Sequence, residues 1–204
     1  HIAYMHGYDN GQFGPLDNLT RAQAAQLFYR LLVNQDVDIT VSFTDVPADA
    51  WYAKAVNTLA SLGIIKGIGS GKFDPDREIS RAEFIVIATR FAKVTDKISS
   101  PFVDVADDAW YAPYVATATS YGWITGVGEG RFAPDDLVTR AEAATIVNRM
   151  LARSADREFV DGNAVQHFSD VTPDAWYYYQ IMEAANGHSH RYSEDGYEVW
   201  NGLN

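Results

Sequence analysis

The chain has 204 residues, 47% hydrophobic and 21% charged, with no cysteine and a formal net charge of -11 at pH 7. This composition supports a globular core, while the missing cysteines exclude disulfides, thiolate nucleophiles and thiolate metal sites. The acidic balance argues against nucleic acid, whose phosphate backbone calls for clustered Lys and Arg, and no apolar run nears the roughly 20 residues of a membrane span.

The first segment, Tyr4-Met5-His6-Gly7, enters a Gly-rich turn, then a Phe13-x-Pro15 loop, then a helix beginning at Thr20. The start at His1 rather than Met reads as a mature fragment whose targeting segment has been removed. Thr20 and Gln23 form a capping-box pair, and Ala24, Leu27, Phe28 and Leu31 share one helical face. A polar linker over Val33–Ser42 leads to Phe43-Thr44-Asp45-Val46 and a helix predicted from Trp51 to Leu62, stopped by Gly63.

The pattern then recurs. Ile64-Ile65-Lys66-Gly67 and Phe73-Asp74-Pro75 precede a helix capped by Ser80 and Glu83; Ile124-Thr125-Gly126 and Phe132-Ala133-Pro134 precede one capped by Thr139 and Glu142. Linkers over Ala92–Pro101 and Ala152–His167 lead to Phe102, Asp104 and Trp110, and to Phe168, Asp170 and Trp176. Helices are predicted over Trp110–Tyr121 and Trp176–Gly187. The repeated arginines, Arg21, Arg81 and Arg140, lie 60 and 59 residues apart, and a fixed period of this length marks a supersecondary unit used repeatedly.

The boundaries divide the chain into the second half of a repeat (1–42), two complete repeats (43–101 and 102–167) and a first half with a tail (168–204). Three apolar helix stripes are expected to pack against one another, giving an all-α fold in which the Trp176 helix docks near the Thr20 helix and closes a pseudo-threefold ring.

Trp51, Trp110 and Trp176 read first as core, with a groove-lining role as the alternative. Asp45, Asp104 and Asp170 read as helix caps or turn closers before ligand contacts. Arg21, Arg81 and Arg140 occupy the first helical position, where the macrodipole disfavours a cation. Either a carboxylate such as Asp45, Asp104, Asp170 or Glu78 pairs with each, or each stands with the helix-terminal amides as an anion receptor. His188 and His190, two apart in a loop, read as solvated polar residues rather than metal ligands. Tyr192, Tyr197 and Trp200 are expected to fold back as a cap. The Asp9-Asn10-Gly11 and Asp74-Pro75-Asp76 loops lack a full calcium loop. No cofactor or metal is assigned.

Phe-x-Asp-Val, Trp-Tyr, Gly-x-Phe-x-Pro and Thr-Arg-Ala-Glu, in this order over residues 3 to 187, resemble the S-layer homology (SLH) domain, a cell-wall anchoring module of bacterial surface proteins. Ser80-Arg81-Ala82-Glu83 and Thr139-Arg140-Ala141-Glu142 stand close to the most recognisable family motif, and Thr20-Arg21-Ala22-Gln23 departs by one amide. The resemblance implies a three-pronged helical array around a central bundle, on the extracellular face of the bacterial wall. It also implies grooves that hold a secondary cell-wall polysaccharide, often ending in a pyruvylated amino sugar. A ketal carboxylate would then meet Arg21, Arg81 or Arg140 while Trp51, Trp110 or Trp176 packs on the sugar. Lys66 would add charge in one groove; its equivalents, His6 and Thr125, make the three grooves unequal.

The implied module is non-catalytic and monomeric in isolation. Alternatives are amine-modified peptidoglycan as the ligand, which an acidic surface would suit, and a structural self-association domain. A glycosidase pair built on Glu83 and Glu142 conflicts with the use of both in capping boxes.

Overall fold

The computed structural model describes residues 1–92, 94 and 99–204, so the linker predicted over Ala92–Pro101 lies partly outside the described residues. Its elements are α1 (Arg21–Arg30), α2 (Ala53–Ser61), α3 (Arg81–Thr89), α4 (Ala112–Ser120), α5 (Arg140–Met150), α6 (Arg157–Gly162), α7 (Tyr178–Ala185), β1 (His188–Tyr192) and β2 (Glu198–Leu203). They fall into two compact units, one formed by His1–Asp17 with Thr139–Asn204 and the other by Asn18–Val138.

The expected all-α, three-pronged array around a central helical bundle is overturned. β1 and β2 pair antiparallel, and most described residues lie in turns and irregular loops. Each half-repeat spends only eight to eleven residues on its main helix, and the Gly- and Pro-rich remainder runs as loops. The tail forms a hairpin because Asp195-Gly196 supplies a tight turn, with Gly196 at a φ of 81°. In the long third linker, Asp156 caps α6 by accepting from the Phe159 amide.

Helices α1, α3 and α5 start where the capping boxes require. Thr20, Ser80 and Thr139 accept from the amide three residues on, and the Gln23, Glu83 and Glu142 side chains reach back to the cap amide. In the Asn18–Val138 unit, α1 packs on α2 and α3 on α4, while Phe28 reaches Phe84 at 5.1 Å between ring centroids. The buried residues just before the caps meet there in a closed hydrogen-bond circuit. Leu19 N–H donates to Val138 C=O (3.0 Å), Val138 N–H to Ile79 C=O (3.1 Å) and Ile79 N–H to Leu19 C=O (2.9 Å).

In the other unit, α7 buries Ile181 and Met182 and packs on α5. Within this unit the helix after Trp176 has α5 as its helical partner. Asn148 joins the pair by donating to Gln180 C=O at 2.9 Å.

Candidate functional site

The same three-part junction is built three times, from residues far apart in sequence. Asp45 accepts from the Phe73 and Asp74 amides, both at 2.8 Å, while Arg21 Nε donates to Phe73 C=O at 2.8 Å. Asp104 accepts from Phe132 and Ala133, both at 2.8 Å, and Arg81 Nε donates to Phe132 C=O at 3.0 Å. Asp170 accepts from Phe13 and Gly14 at 2.7 and 2.8 Å, and Arg140 Nε donates to Phe13 C=O at 2.7 Å. The aspartates thus pin the Phe-containing loop of another half-repeat instead of capping their own helices. Burial works to raise the Asp45 and Asp104 carboxyls, but the backbone N–H donors outweigh it and hold both below the ordinary range.

The arginines are buried, and each donates to main-chain carbonyls. Arg21 Nη2 also donates to Lys66 C=O at 2.9 Å, and Arg140 Nη2 to His6 C=O at 2.7 Å. Arg21 lies over the Phe73 ring, Arg81 over Phe132 and Arg140 over Phe13, at 4.4, 5.1 and 4.5 Å. These carbonyls and ring faces offset the unfavourable macrodipole. Desolvation lowers the pKa of Arg21 and Arg140.

An open anion receptor at the helix N-terminus is ruled out by the fate of its amides. Arg21 and Ala22 donate to Arg77 and Pro75 carbonyls, Arg81 and Ala82 to Asp136 and Pro134, and Arg140 and Ala141 to Asp17 and Pro15. The third amide goes to the cap hydroxyl. None remains for a ligand.

Trp51, Trp110 and Trp176 are not core. They are 62%, 61% and 63% exposed, and each lies in the turn ahead of its helix, since α2, α4 and α7 begin two residues later than the pattern predicts. Each ring meets the following tyrosine edge-on, at 5.2 to 5.4 Å.

Trp110 stands at a groove of about 530 Å³ that also takes in Arg21, Lys66, Glu83, Arg90 and Tyr114. Arg21, Lys66 and Trp110 are thus brought together within one unit. Arg21 Nη1 lies 3.7 Å from Glu83 Oε1, and Arg77 Nη2 holds the same oxygen at 2.7 Å. Two guanidinium groups thus share one carboxylate, and the exposed Lys66 lines the same groove. Asp45 lies outside this lining and supports it through Phe73. Tyr114 and Arg90 escaped the sequence reading, although Tyr114 follows Trp110 by one helical turn.

The tail departs from expectation. His188 is fully buried and stacks on buried Trp200 at 3.7 Å, whereas Tyr192 and Tyr197 remain exposed. Trp200 also meets Phe159 of α6 at 5.6 Å, so it alone of the three aromatics folds back. In the Asp74-Pro75-Asp76 loop, Asp74 pairs with Arg77 at 3.5 Å.

The comparisons agree with this repeated architecture. Over 204 residues the chain is 33% identical to Cell surface glycoprotein 1 of Acetivibrio thermocellus, covering 93% of this chain and 9% of that protein. It is 31% identical to the Cellulosome-anchoring protein of the same organism, over 98% of this chain and 45% of that protein. S-layer protein sap of Bacillus anthracis is 31% identical over 66% of this chain and 16% of its own length. The chain therefore spans less than half the length of these relatives. The sequence model of the S-layer homology domain matches residues 3–25, 42–85 and 101–144, the stretches that carry the three capping boxes and the Arg–Phe–Asp junction residues other than Asp170, and the chain belongs to that family.

Proposed function

We propose that this chain is a non-catalytic anchoring module that binds a secondary cell-wall polysaccharide, with the Arg21–Lys66–Trp110 groove as its binding site. Family membership puts the chain at the cell surface, and the Cellulosome-anchoring protein among its relatives favours an anchoring role. The observation that carries the reading is the exposed Trp110 ring beside Lys66 and Arg21 in one groove. An aromatic face packs on the apolar side of a sugar ring, and a cluster of cations receives an acidic substituent. A pyruvate ketal supplies such a carboxylate.

The exposed Lys66 ammonium makes first contact, and the Arg21 Nη1 edge stands behind it. Asp45, Asp104 and Asp170 are builders of the junctions rather than ligand contacts. Arg81 and Arg140 hold the corresponding positions in the other two junctions, and Trp51 and Trp176 offer equivalent platforms. The acidic chain needs such a local cationic patch to hold an anionic polymer.

The test is calorimetric titration of the protein with released wall polysaccharide, before and after mild acid removes the ketal. Binding lost with the ketal, and weakened in both Lys66→Ala and Trp110→Ala, supports the reading. Unchanged binding after ketal removal, or binding indifferent to both substitutions, overturns it.

A further inference from the structure

The tail brings together polar groups that the anchoring role does not use. Glu183 projects from α7, His188 and His190 from β1, Glu198 from β2, and His1 from the N-terminal segment. Glu183, His188 and Glu198 are buried. His188 Nε2 lies 3.5 Å from Glu198 Oε2 and 3.7 Å from Glu183 Oε1, while His1 Nε2 lies 3.1 Å from Glu198 Oε1.

These groups are poorly matched to one another as hydrogen-bonding partners. His188 Nδ1 lies 2.9 Å from the Asn186 carbonyl, which fixes the proton on Nδ1 and leaves the Nε2 lone pair facing two carboxylates. Both Glu183 oxygens, Glu198 Oε2 and His188 Nε2 are buried without a hydrogen-bond partner. Four buried acceptors with no donor among them are strongly unfavourable. A proton relieves one such contact, whereas a cation relieves several at once.

We propose that His1, His188, His190 and Glu198, backed by Glu183, bind one divalent transition-metal ion of the zinc class. One donor atom from each of the first four lies within 4.8 Å of the others. Tetrahedral bonds of about 2.0–2.1 Å require donors roughly 3.4 Å apart, so side-chain rotations that draw the donors in by about an ångström assemble the site. Imidazole nitrogen with carboxylate oxygen, and no thiolate, is a donor set for zinc-like ions rather than for calcium or magnesium. The His188–Asn186 hydrogen bond is the outer contact that orients a metal-binding imidazole. Because the donors come from the N-terminal segment and both strands, with Glu183 of α7 behind them, the ion fastens the hairpin to the body of its unit.

The test uses Zn²⁺ as the probe, added to chelator-treated protein at neutral pH, with calorimetry for stoichiometry and thermal melts for stability. One ion per chain is expected, in the micromolar range or tighter, with a rise in Tm. His190→Ala and Glu198→Gln each weaken binding tenfold or more. His167→Ala, at an exposed histidine outside the cluster, leaves it unchanged. His190 is only half-buried, so its variant keeps the proposal testable should the Glu198 variant fail to fold. No binding tighter than about 100 μM, or binding by both cluster variants as tight as that of the unaltered protein, would overturn the proposal.

Discussion

Arg21 and Asp45 grip opposite sides of one peptide group. Arg21 Nε donates to the Phe73 carbonyl, and the Asp74 N–H of the same peptide donates to Asp45, both at 2.8 Å. A charge at each end polarises the amide between them, so each bond strengthens the other. The loop is thereby fixed against the start of α1, and the relationship recurs at Phe132 and Phe13.

The first prediction concerns that coupling. Asp45→Ala leaves two backbone donors short of an ionised acceptor, and about 2–3 kcal/mol of stability is lost. Arg21→Ala costs about 2–4 kcal/mol, since it also removes the ring and carbonyl contacts of a buried side chain. The double variant falls short of the sum by about 1 kcal/mol, because either single change already frees the loop. Urea melts of the four proteins measure this.

Acid should attack the same junctions. The folded-state pKa values of Asp45 and Asp104 are depressed, so their contribution is present above the unfolded value of about 3.9 and is lost as pH falls through the folded value. Thermal melts should show stability falling below about pH 4. In the Asp45→Asn, Asp104→Asn double variant the loss is already made at neutral pH, so the acid slope is shallower.

Gly67 faces a different constraint. A Cβ there would collide with Lys72 C=O and meet Phe43 Cε1 at 2.6 Å. Gly67→Ala must push the Phe43 ring off its seat beside Phe73, at a cost of about 2–3 kcal/mol. Gly162→Ala, with open space around it, stays within about 0.5 kcal/mol. Chemical denaturation of the pair separates the close approach from a general intolerance of side chains.

Binding and stability should separate at Trp110. Its ring is mostly exposed, so Trp110→Ala shifts unfolding free energy by no more than about 0.5 kcal/mol. The same change weakens polysaccharide binding about tenfold, equivalent to roughly 1.4 kcal/mol. Equal losses in Tm and affinity would make the ring a structural element.

Local interactions were legible in the chain by itself. The capping boxes at Thr20, Ser80 and Thr139 set three helix starts, because cap and N3 residue are neighbours and need nothing else to meet. The family followed from repeated motifs, and the pairing of Asp45 with Phe73 was foreshadowed only by the recurrence of both. The sequence also held an Asp195-Gly196 turn signal for the hairpin, masked by reading the tail as irregular.

Tertiary structure decided which partner each repeated residue takes. Helical spacing told that Arg21 opens a helix, but the carbonyls it grips lie some 50 residues on, at Lys66 and Phe73. It could not tell that Trp110 stays outside, in the turn ahead of α4 and at the wall of a groove. Nor could it tell that His188, in a polar tail, stands buried beside Glu183 and Glu198. Caps and turns are contacts within four residues, written in local order, whereas burial and partner choice depend on which distant segments fold alongside.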